Sequence, residues 1–224
     1  MSAPTIVQPR ERTTLFFGKR LFDLSTSVAF LLCLSPLYLI LILLVKVTSK
    51  GPALYKGLRM GKGGRLFYCW KFRTMCVDAD ERLHRLLSEN PQMQKEWETF
   101  FKLKNDPRLT VIGKFLRRSS LDELPQIWNV VKGELSLVGP RPIAIESREN
   151  AREEIDHLFG EFTDKILSVK PGVTCIWQTR GRNLLTFQER IQLEIEYIDH
   201  QSFWLDLKIL FKTIPVLLFP KGAF

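Results

Sequence analysis

The chain has 224 residues, enough for one domain or a domain with an appendage, and 45% of them are hydrophobic, enough for a core of its own. Lysine and arginine outnumber aspartate and glutamate by 33 to 24, a net charge of +9 that favours a phosphate-rich partner: nucleic acid, anionic lipid or nucleotide. The four cysteines, Cys33, Cys69, Cys76 and Cys175, have neither CxxC nor metal-ligand spacing, which argues for reduced thiols and against a zinc site or a disulfide framework.

Residues 1–18 read as a flexible basic tail. Leu24 to Val45 is an uncharged run, and a helix of that length reaches roughly 33 Å, just enough to cross a bilayer. It is long for a signal peptide, and no small-residue cleavage site follows it. Both flanks are basic: Arg10, Arg12, Lys19 and Arg20 precede it, and Lys46, Lys50, Lys56 and Arg59 follow. The positive-inside rule wants an asymmetry, so the flanks read as if both stay on one side. Ser35-Pro36 sits mid-run. Proline removes a backbone donor, and a serine hydroxyl can satisfy the carbonyl left free. On the residues alone, a re-entrant helix and a Pro-kinked spanning helix both stay open.

Lys50-Gly51-Pro52 breaks the run, and residues 53–73 predict a hairpin around Gly61-Lys62-Gly63-Gly64. Asp78 to about Phe101 predicts helix interrupted at Asn90-Pro91, and Asn105-Asp106-Pro107 predicts a turn. Short helices are expected over Thr110–Arg118 and Pro125–Val131, a charged helix over 143–159, and another helix over Thr186–His200. Residues 203–219 mix apolar bulk with Asp206, Lys208 and Lys212, which fits a helix at a membrane interface or one packed on the domain. His84, His157 and His200 are scattered and read as surface residues. No Walker A or Rossmann fingerprint is present.

The densest stretch is 117–142, RRSSLDELPQIWNVVKGELSLVGPRP. The adjacent acids Asp122-Glu123 have a bland reading: Ser120 as N-cap and Glu123 at N3 make a capping box. Pro125 pulls the other way, because proline prefers the first helical position, which would leave the acids just before a helix N-terminus.

Arg117-Arg118, the acid pair, Leu124-Pro125-Gln126, Asn129 and Gly139-Pro140-Arg141-Pro142 together resemble the bacterial sugar transferases, monotopic phosphoglycosyl transferases that move a phosphosugar from a nucleotide sugar to a polyprenyl phosphate. The resemblance runs from Lys19 almost to the C-terminus. It includes Lys19-Arg20-x-x-Asp23 and Ser35-Pro36, which imply a helix that enters and leaves one leaflet. It also includes Lys71-Phe72-Arg73-Thr74-Met75 and Trp177-Gln178-x-x-Gly181-Arg182-Asn183. The resemblance implies that Asp122 is a nucleophile attacking the phosphate that bears the sugar, since aspartyl phosphates are established intermediates. It implies Mg²⁺ held by Asp122 and Glu123, and substrate binding by Lys71, Arg73, Arg117, Arg118, Asn129, Arg141, Gln178 and Arg182. For Lys71 and Arg73 a solvated strand end is the bland alternative.

The expected fold is α+β and mostly helical, with a small hairpin: a re-entrant membrane helix over 19–49, then a cytoplasmic catalytic domain over 50–224 that ends in an interfacial helix. The expected reaction transfers a sugar 1-phosphate from a UDP-sugar to undecaprenyl phosphate and releases UMP, at the cytoplasmic face of a bacterial inner membrane. Partners are those two substrates and membrane lipid, with a homodimer left open and no nucleic acid. Glu96-Trp97 through Arg108 resembles the galactose branch, so UDP-galactose is the first donor and UDP-glucose the second. Cys175, where the family has Gly, and Arg180, where a small polar residue is usual, are departures that bear on the sugar pocket. The rival is a membrane-tethered basic binding protein for anionic lipid or nucleic acid, which leaves the acid pair unexplained.

Overall fold

A computed structural model of the chain describes residues 9–100, 103, 105–181 and 185–218. Its first helix, α1 (Pro9–Cys33), begins inside the stretch expected as a tail, and α2 (Ser35–Thr48) follows after one residue. The two helices are bent by 63°. The cause is Pro36, whose ring nitrogen leaves the Leu32 carbonyl without its helical donor. Ser35 Oγ donates to that carbonyl at 2.8 Å, so the bend is satisfied rather than strained. No single helix among the described residues is long and apolar enough to cross a membrane, though the bent pair passes that test together. Leu32, Leu39, Leu43 and Val47 are exposed along it, an apolar row of the kind that marks a lipid or protein contact.

The charged start of this helix is bound to the rest of the protein. Lys19 Nζ donates to the Val138 carbonyl at 3.0 Å and pairs with Asp206. Arg20 donates to the carbonyls of Val130 and Val131 at 2.6 and 2.8 Å. Asp23 is buried and accepts from Ser136 Oγ at 2.7 Å and from the Leu137 amide at 3.3 Å. Lys19 and Arg20 are thus not free flanking charges, and part of the basic excess before the apolar run has a folding role. Asp23→Ala is expected to leave two buried donors unpaired, at ~1–3 kcal/mol each, and to lower the thermal midpoint in detergent by several degrees.

The hairpin forms as expected. Strand β1 (Leu54–Met60) pairs antiparallel with β2 (Leu66–Phe72), from Leu54 opposite Phe72 to Met60 opposite Leu66. Gly63 and Gly64 both have positive φ in the turn between them. Helices α3 (Ala79–Glu89) and α4 (Pro91–Phe100) meet at Asn90, as the Asn-Pro signal predicts. Then come α5 (Val111–Ser119) and α6 (Gln126–Lys132).

A second, parallel pair was not expected: β3 (Ser136–Val138) with β4 (Gly172–Thr174). Gly139 and Gly172 permit this crossing, since a Cβ on Gly172 would lie 2.1 Å from the Gly139 nitrogen. The helix expected over 143–159 is only α7 (Ala151–Phe159). Residues 143–150 stay irregular because the Glu154 carboxylate takes the amides of Glu146 and Ser147, and the Ile145 amide bonds Leu58 on the hairpin. After α8 (Thr163–Leu167) and α9 (Ile176–Arg180), α10 (Phe187–Asp199) opens on a true capping box between Thr186 and Glu189. The last helix is α11 (Phe203–Leu218). It buries Asp206 and Ile209 against the domain and leaves Trp204, Phe211 and Ile214 exposed.

The architecture is therefore α+β and mostly helical. One core lies between β2, α6, the β3–β4 pair and α11, around Phe67, Val130, Leu135 and Tyr197. A second joins α2 to β2 and α5 through Leu41, Val45, Phe72 and Leu116.

Candidate active site

The acid pair lies where these two cores meet. Helix α5 starts at Thr110, whose hydroxyl accepts from the Gly113 amide at 2.9 Å. Gly113 lets the helix touch the strand end, since a Cβ there would sit 1.9 Å from the Thr74 carbonyl. The helix stops at Ser120, which has φ 56°. Leu121–Glu123 form a single 3-10 turn, and Pro125 opens α6. The capping box offered for Ser120 and Glu123 does not form: Ser120 caps nothing, and Glu123 turns to stronger partners. Its Oε1 accepts from Lys71 Nζ at 2.7 Å and from Arg141 Nη2 at 2.9 Å. Two charge-assisted bonds outweigh the one amide a cap would have given.

The two carboxylates are driven apart in acidity. Burial and the neighbouring Glu123 charge push Asp122 up to about 6, against the pull of Lys71, Arg117 and Arg141. Burial acts on Glu123 too, but Arg141 and Lys71 overcome it and hold that carboxylate well below its usual range. Such a separated pair divides the labour, with one fixed anion and one group poised near neutrality. Neither Asp122 oxygen accepts a hydrogen bond among the described residues, although the residue is only 8% exposed. Glu123 Oε2 accepts none there either, since both of its bonds fall on Oε1. Carboxylate oxygens left without a hydrogen bond fit magnesium, which is held by one or two carboxylates together with substrate phosphates. Among the described residues no group of three or more His, Cys, Asp or Glu is found, so a complete protein cage is not on offer.

Arg141 stands on the Pro140–Pro142 loop that leaves β3. That loop is pinned by the Gly139 amide on the Thr174 carbonyl (3.1 Å) and the Gly172 amide on the Pro140 carbonyl (2.8 Å). From behind, the Arg141 amide donates to Glu194 Oε1 at 3.2 Å, and Arg190 donates to the Arg141 carbonyl at 3.2 Å. The Trp177 ring has the guanidinium of Arg141 at 5.7 Å and that of Arg190 at 5.2 Å. Sequence reading missed Arg190 and Glu194, which look like an ordinary i,i+4 surface pair. Their signal lies only in burial: Glu194 is 1% exposed.

The bacterial sugar transferase family matches residues 14–220. The chain belongs to that family. It is 44% identical to the "Undecaprenyl-phosphate galactose phosphotransferase" of Salmonella typhimurium over 93% of this chain and 42% of that protein. It is 39% identical to the "Exopolysaccharide production protein ExoY" of Sinorhizobium fredii over 92% of this chain and 88% of that protein. Against the "UDP-glucose:undecaprenyl-phosphate glucose-1-phosphate transferase" of Klebsiella pneumoniae, identity is 38% over 88% of this chain and 39% of that protein. The chain thus spans about two fifths of the first of these relatives.

In this bacterial sugar transferase, Lys71, Arg117 and Arg141 gather at the acid pair, and the other expected site residues do not. Arg117 Nε is steadied by Thr74 Oγ1 at 3.0 Å, so threonine in the KFRTM segment supplies a hydroxyl. Arg118 is exposed on α5. Arg73 is buried at the end of α2, donating to Ser49 Oγ at 2.8 Å, to the Ser49 carbonyl at 2.9 Å and to that of Lys50. The partial negative charge of a helix C-terminus accounts for that choice, and the donors of Arg73 turn to the end of α2 and not to the acid pair. Asn129 is also fully used: it accepts from the Trp70 amide at 3.0 Å and donates to the Tyr68 carbonyl at 2.7 Å and Glu134 at 2.6 Å. It braces β2. Gln178 lies near Arg141's support, accepting from the buried Cys175 thiol at 3.3 Å. Arg182 and Asn183 fall outside the described residues. Of the two departures, Cys175 is a buried packing residue, and Arg180 forms an exposed pair with Glu196 at 3.0 Å, away from the acids.

Proposed function

We propose that the chain transfers a sugar 1-phosphate from a UDP-sugar to undecaprenyl phosphate in two half-reactions, with Asp122 as the covalent carrier. The observation that carries this is the buried carboxylate of Asp122, its pKa raised to about 6, beside a Glu123 locked between Lys71 and Arg141. In the first half, an Asp122 oxygen attacks the phosphorus bearing the sugar. The bond to the second phosphate breaks, and UMP departs with the electron pair. In the second half, a phosphate oxygen of the polyprenyl acceptor attacks the same phosphorus and returns Asp122 to its free carboxylate. Lys71, Arg117 and Arg141 offset the repulsion between two approaching anions. A magnesium ion on Asp122 and Glu123 would neutralise further phosphate charge.

UDP-galactose is the preferred donor of this reading, supported by the galactose-named relatives, and UDP-glucose is second, supported by the Klebsiella relative. The product would open the assembly of an exopolysaccharide, capsule or O-antigen. The binding-protein alternative has no use for a buried acid pair. Intact-protein mass after mixing with UDP-galactose and Mg²⁺, without acceptor, tests the scheme. A hexose-phosphate adduct mapping to Asp122 is expected; an unmodified protein that still turns over by sequential kinetics would rule it out.

The bent α1–α2 pair is the second part of the reading: a helix that dips into the cytoplasmic leaflet and returns. Its support is the 63° bend and the exposed leucines on both arms. Cysteines placed at Thr5 and at Glu149 are both expected to be shielded from an impermeant thiol reagent in intact cells. Labelling of the Thr5 position alone would mean a spanning helix.

A further inference from the structure

One arginine on the hairpin is unexplained by the acid site. Along β1, Tyr55, Gly57 and Arg59 share a face, and their partners across the ladder are Lys71, Cys69 and Phe67. Cys69 and Phe67 are buried, so this face turns inward. The Arg59 guanidinium doubles back over Gly57: a Cβ on Gly57 would lie 3.0 Å from Arg59 Nη1 and 3.3 Å from Tyr55 Cε1. Its one hydrogen bond among the described residues is to the neighbouring Leu58 carbonyl, at 2.6 Å. No carboxylate pairs with it there. The charges of Arg141 and Glu123 both reach it.

Lys71, Arg117 and Arg141 already surround the two carboxylates, and Arg59 adds a fourth cation, half-buried and with most of its donors unused. A guanidinium held partly out of water without an acid is costly unless an anion arrives. Its planar fork matches the oxygens of a phosphate.

We propose that Arg59 forms a phosphate subsite on the inner hairpin face, taking the substrate phosphate that does not bond to Asp122. Two molecules carry such a group: the donor, through the phosphate that leaves in UMP, and the polyprenyl phosphate acceptor. Gly57 is part of the subsite, because the bare strand gives the guanidinium its resting place. The inference rests on the transferase reading above.

The test uses the full chain in detergent, with Arg59→Ala, Arg59→Lys and Gly57→Ala. The Gly57 variant keeps the arginine and displaces it, and so guards against an Arg59 variant that fails to fold. Arg59→Ala is expected to raise KM about tenfold or more, the range of a charged hydrogen bond, with a smaller change in kcat. Arg59→Lys should recover part of it, and Gly57→Ala should move KM in the same direction with an unchanged melting temperature. A rise for UDP-sugar alone assigns the donor phosphate, a rise for undecaprenyl phosphate alone the acceptor's, and a rise for both a shared position. Unchanged KM for both substrates in all three variants, or a fall in kcat alone, overturns the subsite. If the wild type releases no UMP from any UDP-sugar, the transferase reading fails instead. The subsite is then judged by binding of UMP and inorganic phosphate: weaker binding in Arg59→Ala supports it, and equal binding overturns it.

Discussion

Asp122→Asn is expected to abolish UMP release from the donor even without acceptor, by at least about a thousandfold, because the carboxylate proposed to attack the phosphorus loses its charge. The amide is nearly isosteric, so the turn between α5 and α6 should survive, and a melting curve close to wild type is the control. Asp122 also dictates a pH profile. In the proposed scheme its ionised form is the nucleophile, and burial with the Glu123 charge lifts its pKa to about 6. Wild-type kcat/KM for the donor should therefore climb with pH through about 6 and level off above it. The same lift means that ionising Asp122 works against folding: its contribution is present at low pH and is lost as pH rises through about 6. Above that pH the asparagine variant should be no less stable than wild type. A variant that still releases UMP at more than a few per cent of the wild-type rate would leave Asp122 without a chemical role.

Glu123→Gln should be nearly as damaging, by roughly a hundredfold or more, for a different reason. The glutamine oxygen can still accept from Lys71 and Arg141, but a neutral acceptor holds them about half as strongly. Both cations are then drawn to Asp122 and quench its nucleophilicity. The signature is electrostatic. Glu123 is one of the charges that raises Asp122, so its removal should shift the acid limb of the pH profile below 6 while the plateau collapses. A loss of activity with the limb unmoved would mean that Glu123 serves the fold alone.

What could be read in advance follows from how local each signal is. The hairpin turn, the break at Asn90-Pro91 and the bend at Ser35-Pro36 depend on residues a few positions apart, and all three are present. The acid pair was legible through its dense neighbourhood, and Pro125 correctly placed it ahead of a helix. The β3–β4 pair was not legible: each strand has three residues, too few for alternation, and the partners come from distant parts of the chain. Side-chain direction was equally hidden. Lys71 and Arg73 are two residues apart in one basic segment, yet one meets Glu123 and the other the end of α2. Asn129 read as a substrate contact and braces a strand, because only tertiary structure says what lies beside it. Arg190 and Glu194 were overlooked, since burial behind Arg141 leaves no mark on a helical pattern.

The bent helix pair grips the segment that carries the acids at both ends. Tyr38, on α2, donates to the Leu124 carbonyl at 2.5 Å, one residue past Glu123. Arg20, on α1, holds the carbonyls of Val130 and Val131 at the far end of α6. Arg73 adds a third link, from α2 to the strand that bears Lys71. The pair therefore braces the turn between α5 and α6 from both sides. In the leaflet-dipping arrangement proposed above, a change in the thickness or lateral pressure of the lipid would bear on that turn, and rate would follow the mechanical state of the bilayer as well as substrate concentration.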